Sequence, residues 1–326
     1  MVKKTVLISL AAIGAVGAAF SILPKATSAP RRDVPFKLGN TTWPSYQAFK
    51  KSFARCGTRG LSADEMQRVE SDLALTQQVQ QKNGILINGR RTLTVPVYFH
   101  VITDAAGAGN LTKTQIQGQI DFLNKSFAGQ DKLSNNTTPN GAAANTSFRF
   151  VLAGTDTTAN TDWYNVNDET AMKTALRKGD AKALNLYSCN IIQYGLLGWA
   201  TFPSWYSGNP KDDGVVLDPE TIPGGSFAPY NLGDTATHEI GHWLGLYHTF
   251  QGGCSRINDM VSDTAIEARP FFGTWPPVTD SCVGFSFPGK DPVENYMDYT
   301  DDAFMYKFTT GQNKRMELQS ITYRGY

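Results

Sequence analysis

The stretch LTVPVYFHVIT, residues 93–103, alternates apolar with other positions and is rich in β-branched and aromatic residues. It is therefore expected to be a buried strand. Ile116, Ile120, Leu123 and Phe127 then recur at intervals of three and four, which predicts an amphipathic helix over 112–128. Short apolar runs predict further strands over 148–153, 183–192, 197–202 and 214–217, and a last helix is expected over 310–320. Residues 30–91 are polar and punctuated by basic residues, with one helix signal. There Ser62 and Glu65 form a capping box ahead of Met66, Val69 and Leu73 at helical spacing. Residues 134–145 read as a surface loop, and the glycines and prolines after Phe250 predict an irregular carboxy-terminal portion. No internal repeat is visible.

Composition places these elements in a globular chain: 41% of 326 residues are hydrophobic and 18% charged. A formal net charge of +1 gives no reason to expect nucleic acid or an anionic membrane as partner. The amino terminus changes the picture more. After MVKK, residues 5–23 are apolar and carry no charge, which reads as a secretory signal peptide over 1–22. Its end is bounded by small-residue cleavage candidates after Ala19 and Ala29, and Pro30 makes the second a poor site. An uncleaved membrane anchor is the alternative; no later segment is long and apolar enough to span a bilayer. Asn-x-Ser/Thr sequons at Asn40, Asn110, Asn124, Asn135, Asn136 and Asn145 also suit an exported glycoprotein. So do four cysteines, an even number with three ways to pair.

The chemistry concentrates in HEIGHWLGLYH, residues 238–248, which holds three of the four histidines. Asp234 or Thr235 can cap a helix, on which His238 and His242 lie about 40° apart at about 100° per residue. Ala236, Ile240, Trp243 and Leu244 fall near the opposite side. Gly245 allows a left-handed turn that could return His248 as a third imidazole. Three neutral imidazoles leave one position of a tetrahedral zinc open for water, the arrangement of a catalytic site. Glu239, beside that face, is placed to accept a proton from such a water. Metal-assisted hydrolysis, of peptide bonds, is the expected reaction class. His100 has no motif partner and reads as a hydrogen-bonded histidine in the first strand.

HEIGHWLGLYH resembles the extended zinc signature of the metzincin metallopeptidases, and NYMDY, residues 295–299, resembles their Met-turn. VPVYFHVI, ALNLYSC, LLGWATFP, DGVVLD and DPVENYMDYTDDAFM extend the similarity to the pappalysin family, its ulilysin-like and secreted fungal members in particular, over about residues 93–317. The resemblance implies an α+β, zincin-like fold. A twisted, mixed and mostly parallel sheet with a backing helix and the active-site helix would lie above the cleft (about 92–245), and an irregular subdomain below (about 246–326). It also implies His238, His242 and His248 as zinc ligands, Glu239 as general base, Met297 as the floor beneath the metal and Tyr299 as oxyanion partner. Gly198, Trp199 and Ala200 would belong to the edge strand that pairs with extended substrate. Asp302 would lie at the base of the S1′ pocket and favour Arg or Lys after the scissile bond, or else be a solvated acid. Calcium is implied in the loop after His248, where Asp259, Asp263 and Glu267 offer oxygen donors that a solvated acidic loop would also carry. Cys254 and Cys282 would pair.

Cys56 and Cys189 remain. Cys56 lies in ARCGTRG, which resembles the cysteine switch of matrix metalloproteinase prosegments, so residues 23–91 read as a propeptide released near Arg90 and Arg91. A Cys56 thiolate on the open zinc position would displace water; a Cys56–Cys189 disulfide is the rival. The expected protein is a secreted, monomeric zinc endopeptidase made as a zymogen, acting on proteins or peptides. Two alternatives stand beside it: a catalytically silent zinc-dependent binding module, which would tolerate loss of Glu239, and a gluzincin with a downstream glutamate as third ligand.

Overall fold

A computed structural model of the chain describes residues 36–38, 41–43, 55–84, 91–131, 142–274, 280–284 and 287–326. The expected signal peptide, Arg90 and the sequons at Asn40, Asn135 and Asn136 lie outside these residues. Two three-residue strands, β1 (Phe36–Leu38) and β2 (Thr41–Trp43), pair antiparallel. The capping box at Ser62 and Glu65 forms as expected and starts α1 (Ala63–Lys82). Among the described residues no helix is long and apolar enough to cross a membrane.

The main sheet grows around β3 (Leu93–Thr103), the strand expected from its alternation. Its order is β4-β3-β5-β7-β6, with β4 (Phe148–Ala159), β5 (Leu184–Ser188), β6 (Gly198–Ala200) and β7 (Val215–Leu217). All neighbours are parallel except β6 and β7, so the mostly parallel α+β architecture holds with one antiparallel edge. α2 (Lys113–Phe127), with Thr112 as cap, and α5 (Asp234–Trp243) cover one face. There Ile116, Ile120, Leu123 and Phe127 meet Val97, Phe99, Leu186 and Ile240 in one core. The other face packs Tyr187, Trp199 and Val216 against Met172 of α4 (Glu169–Leu176), which follows the single-turn α3 (Thr161–Tyr164).

Several boundaries differ from the sequence expectation for local reasons. β4 runs six residues past 153, because the exposed, β-branched TDTT segment continues to pair with β3 beyond a bulge at Val97/Tyr98. β5 stops at Ser188, since the Asp218 carboxylate takes the N–H groups of Ile191 and Ile192 and turns the chain. α6 (Thr310–Arg324) continues past 320, held by Arg324, whose guanidinium is buried against Asp213 and over the Trp243 ring at 3.6 Å. α5 is capped by Gly233, at φ +112°, and not by a side chain, so Asp234 is free to point elsewhere.

Candidate active site

α5 lifts His238 and His242 onto one face, as its spacing requires. Gly245, at φ +98°, turns the chain where the Gln319 side chain leaves no room for a Cβ. His248 then returns, and its Nε2 lies 3.0 Å from that of His242, which is 3.2 Å from that of His238. These contacts are not hydrogen bonds between imidazoles. His238 Nδ1 faces the Tyr296 carbonyl at 2.6 Å and His242 Nδ1 the Leu246 carbonyl at 2.8 Å, so the ring protons sit there and the Nε2 lone pairs converge. Burial holds His238 well below the usual histidine range and His242 down to about 4, which keeps both neutral. Converging lone pairs of buried neutral imidazoles form a site for a soft cation.

The fourth donor is Cys56. Among the described residues, one cluster of His, Cys, Asp or Glu could hold a metal, with the ligand atoms of Cys56, His238, His242 and His248 all within 4.8 Å of one another. The donor set suits zinc: three nitrogens and a sulfur, with no downstream glutamate in the cluster. Burial, then the charge of Glu239, pushes the Cys56 thiol up, so without a cation alongside it keeps its proton and faces Glu239 Oε2 at 3.3 Å. The rival disulfide is not formed. Cys189 is free and buried in the second core, 3.6 Å from Met172 Sδ, whereas Cys254 and Cys282 are bonded as the resemblance implied.

Glu239 is wholly enclosed, pushed up to about 8 by burial, and its Oε2 accepts from Thr58 Oγ1 at 2.9 Å. Met297 is fully buried beneath α5, where its sulfur fills the space that a Cβ on Gly241 would need. The turn is tied by Asn295, which accepts from Met297 N and exchanges hydrogen bonds with Gln312. Tyr299 Oη lies 3.2 Å from His248 Nε2.

Gly198 and Ala200 belong to the buried edge strand β6, and residues 55–58 already lie along it. Leu197 N donates to Arg55 O, Gly57 N to Gly198 O, and Ala200 N to Thr58 Oγ1, each at 2.8 Å. Trp199 differs from its expected role at the level of the side chain, since its ring points into the second core and donates to Glu169. Asp302 is not a solvated acid: it is 3% exposed, accepts from Leu232 N and sits 3.7 Å from Arg55. Asp259 accepts from Thr264 and Val261, and Asp263 from Thr309 and Gly311. His100 bridges Asp156 and Asn185 within the sheet, as expected. Asn124 exchanges hydrogen bonds with the Phe150 backbone, whereas Asn110 and Asn145 are exposed.

Arg55, Thr58 and Tyr230 were not singled out from sequence, and Asp234 was read only as a candidate helix cap. Only the neighbourhood of Arg55 and Thr58 to Cys56 hinted at them.

Comparison with known proteins agrees with this geometry. The family model Peptidase_M43, described as pregnancy-associated plasma protein-A, matches residues 165–320. An extracellular metalloprotease of Pyricularia oryzae is 41% identical over 273 residues, 83% of this chain and 89% of its own. One of Verticillium alfalfae is 42% identical over 275 residues, 82% of this chain and 89% of its own. Among solved structures, a Tannerella forsythia promirolysin mutant superposes with a TM-score of 0.65 at 29% identity, covering 82% of this chain and 94% of that one. Mirolysin in complex with compound 9 gives 0.62 at 34% identity, covering 70% and 91%. The chain belongs to the pappalysin (M43) family of metzincin metallopeptidases.

Proposed function

We propose that this chain is the zymogen of a secreted zinc endopeptidase, with a signal peptide over 1–22, a propeptide over 23–91 and a catalytic domain over 92–326. The observation that carries the reading is the convergence of three histidine Nε2 atoms beside Glu239, closed by the Cys56 thiol. Zinc held by His238, His242 and His248 would supply Lewis acidity, polarising the scissile carbonyl and bringing the pKa of water to about 7. Glu239, in a dry site, takes the proton of the attacking water and passes it to the leaving amine; its raised pKa suits both halves of that transfer. Tyr299, beside His248, offers its hydroxyl to the developing oxyanion. Gly198 and Ala200 bind extended substrate by main-chain hydrogen bonds once residues 55–58 leave.

Latency follows from the same contacts. Cys56 occupies the position water needs, and Thr58 occupies the carboxylate that would activate it. Asp302, buried at the end of the cleft near a guanidinium, supports a preference for Arg or Lys after the scissile bond. Calcium forms no part of this proposal, since its support is limited to the buried, donorless Oε1 of Glu267. A silent binding module is disfavoured by Glu239 itself, which is present and correctly placed.

Glu239→Ala tests the reading. The processed variant should keep its zinc and its melting temperature but lose about 10²–10⁴-fold in kcat on a denatured protein substrate. Normal turnover by that variant would overturn the mechanism. Cleavage-site profiling of the wild type should enrich Arg or Lys after the cut, and a flat profile would remove Asp302 from the specificity pocket.

A further inference from the structure

The three histidines of the cluster are not held alike. Nδ1 of His238 and Nδ1 of His242 each face a backbone carbonyl, at 2.6 and 2.8 Å. A bond of that kind fixes both the plane of an imidazole and the nitrogen it offers to a cation. His248 lies beyond the turn at Gly245, is half-buried, and has no such partner at Nδ1 among the described residues. Its polar side-chain contacts, to His242 and to Tyr299, are both made by Nε2. A histidine ring turns readily about χ2, so the aim of this nitrogen needs a second contact.

That contact is a ring face. The Phe250 ring lies nearly parallel to His248, with 12° between the planes and 4.6 Å between the centroids, whereas His242 and Tyr299 meet the same imidazole edge to face, at 85° and 79°. Phe250 also packs against Tyr299, at 5.0 Å and 68°, so one side chain touches both the third histidine and the ring whose Oη lies 3.2 Å from His248 Nε2. The backbone between His248 and Phe250 is pinned on its own account. Thr249 N donates to Met297 O at 3.3 Å, Thr249 Oγ1 to Glu267 at 2.8 Å, and Gln251 N to His248 O at 3.0 Å. The main chain therefore fixes where the His248 ring starts, and Phe250 fixes how the ring is turned. An aliphatic side chain of similar bulk would fill the space but offer no flat face to stack.

We infer that Phe250 is the positioning residue of the third histidine: its ring face sets the plane of His248 in place of a hydrogen bond at Nδ1, and the same ring, packed against Tyr299, keeps that hydroxyl in register with His248 Nε2. The inference rests on the proposed zinc site and adds to it a residue that lies outside both HEIGHWLGLYH and NYMDY. His248 is then the ligand that loses its aim when the stack is removed, while His238 and His242 keep theirs through their backbone carbonyls.

The test uses the processed enzyme and reads zinc affinity by competition with a coloured chelator. Phe250→Tyr, which keeps the ring face, should bind zinc within about threefold of the wild type, and Phe250→Leu should bind it about tenfold more weakly. At saturating zinc, Phe250→Leu should also lower kcat about tenfold with KM for an extended peptide unchanged, because the hydroxyl of Tyr299 drifts while the edge strand β6 does not. The melting temperature of the zinc-free protein reports on folding, and Phe250→Ile, expected to behave as Phe250→Leu does, repeats the comparison if the latter melts early. Wild-type zinc affinity in the aliphatic variants, or an equal loss in Phe250→Tyr, would overturn the inference and leave the zinc site standing. A wild-type enzyme that takes up no zinc would instead refute the site on which it rests.

Discussion

Gly198 shows how tightly the site is built at single residues. A Cβ there would stand 2.7 Å from Glu239 Cγ and 3.1 Å from the Val216 carbonyl, which is part of the sheet and cannot withdraw. Gly198→Ala is therefore expected to displace Glu239 and lower kcat of the processed enzyme by about 10²-fold or more while zinc content is unchanged. A variant with wild-type kcat would show that Glu239 has slack the structure does not display. His238, Glu239 and His242 were legible in sequence because a helix places residues four apart on one face whatever surrounds it. Arg55, Tyr230 and Asp234 were not legible, because their roles depend on contacts such as that between Arg55 and Thr300, 245 positions apart. Nothing local to either residue encodes such a meeting.

Among the elements, α1 carries the grip of the proposed propeptide on the rest of the chain. Leu61, Met66, Val69 and Leu73 pack with Phe202 and Tyr247, and Glu70 pairs with Arg315 of α6 at 2.7 Å. Leu73 is 4% exposed, so Leu73→Ala in the uncut chain should cost about 2–5 kcal/mol of that association. Faster release of activity during limited proteolysis near residue 91 would register this, and an unaltered release rate would count against α1 as the clamp. The start of α1 was readable from its capping box, and β3 from its alternation. The ends of β5 and α6 were not, since one is set by Asp218 and the other by Arg324 on Asp213, both tertiary contacts.

Across the whole molecule, the irregular portion after His248 buries more acid than its bonds require. Burial, then the charge of Asp298, pushes Glu267 up to about 10, and burial pushes Asp298 up to about 8. Both folded-state values lie above those of ordinary carboxyls, so between them the native state binds protons that the unfolded chain has released. Stability is then fully present below about pH 4 for these groups and is lost as pH rises through about 8 and toward 10. The zinc-stripped chain should accordingly melt at a lower temperature at about pH 9 than at about pH 6, and Glu267→Gln should flatten the difference. A melting temperature that rises over this interval would contradict the assignment.

The sequence by itself determined the three histidines proposed as metal ligands, the glutamate proposed as base, the turn at Gly245, the main strand and the helices that carry a cap or a stripe, because each is written in the spacing of near neighbours. Only the tertiary structure decided what completes the site. It brought Cys56 to the histidines and left Cys189 in another core, turned Trp199 away from the cleft, and enclosed Asp302 behind Arg55. These outcomes depend on how distant segments exclude water from one another, and burial of that kind is a property of the assembled chain rather than of any stretch within it.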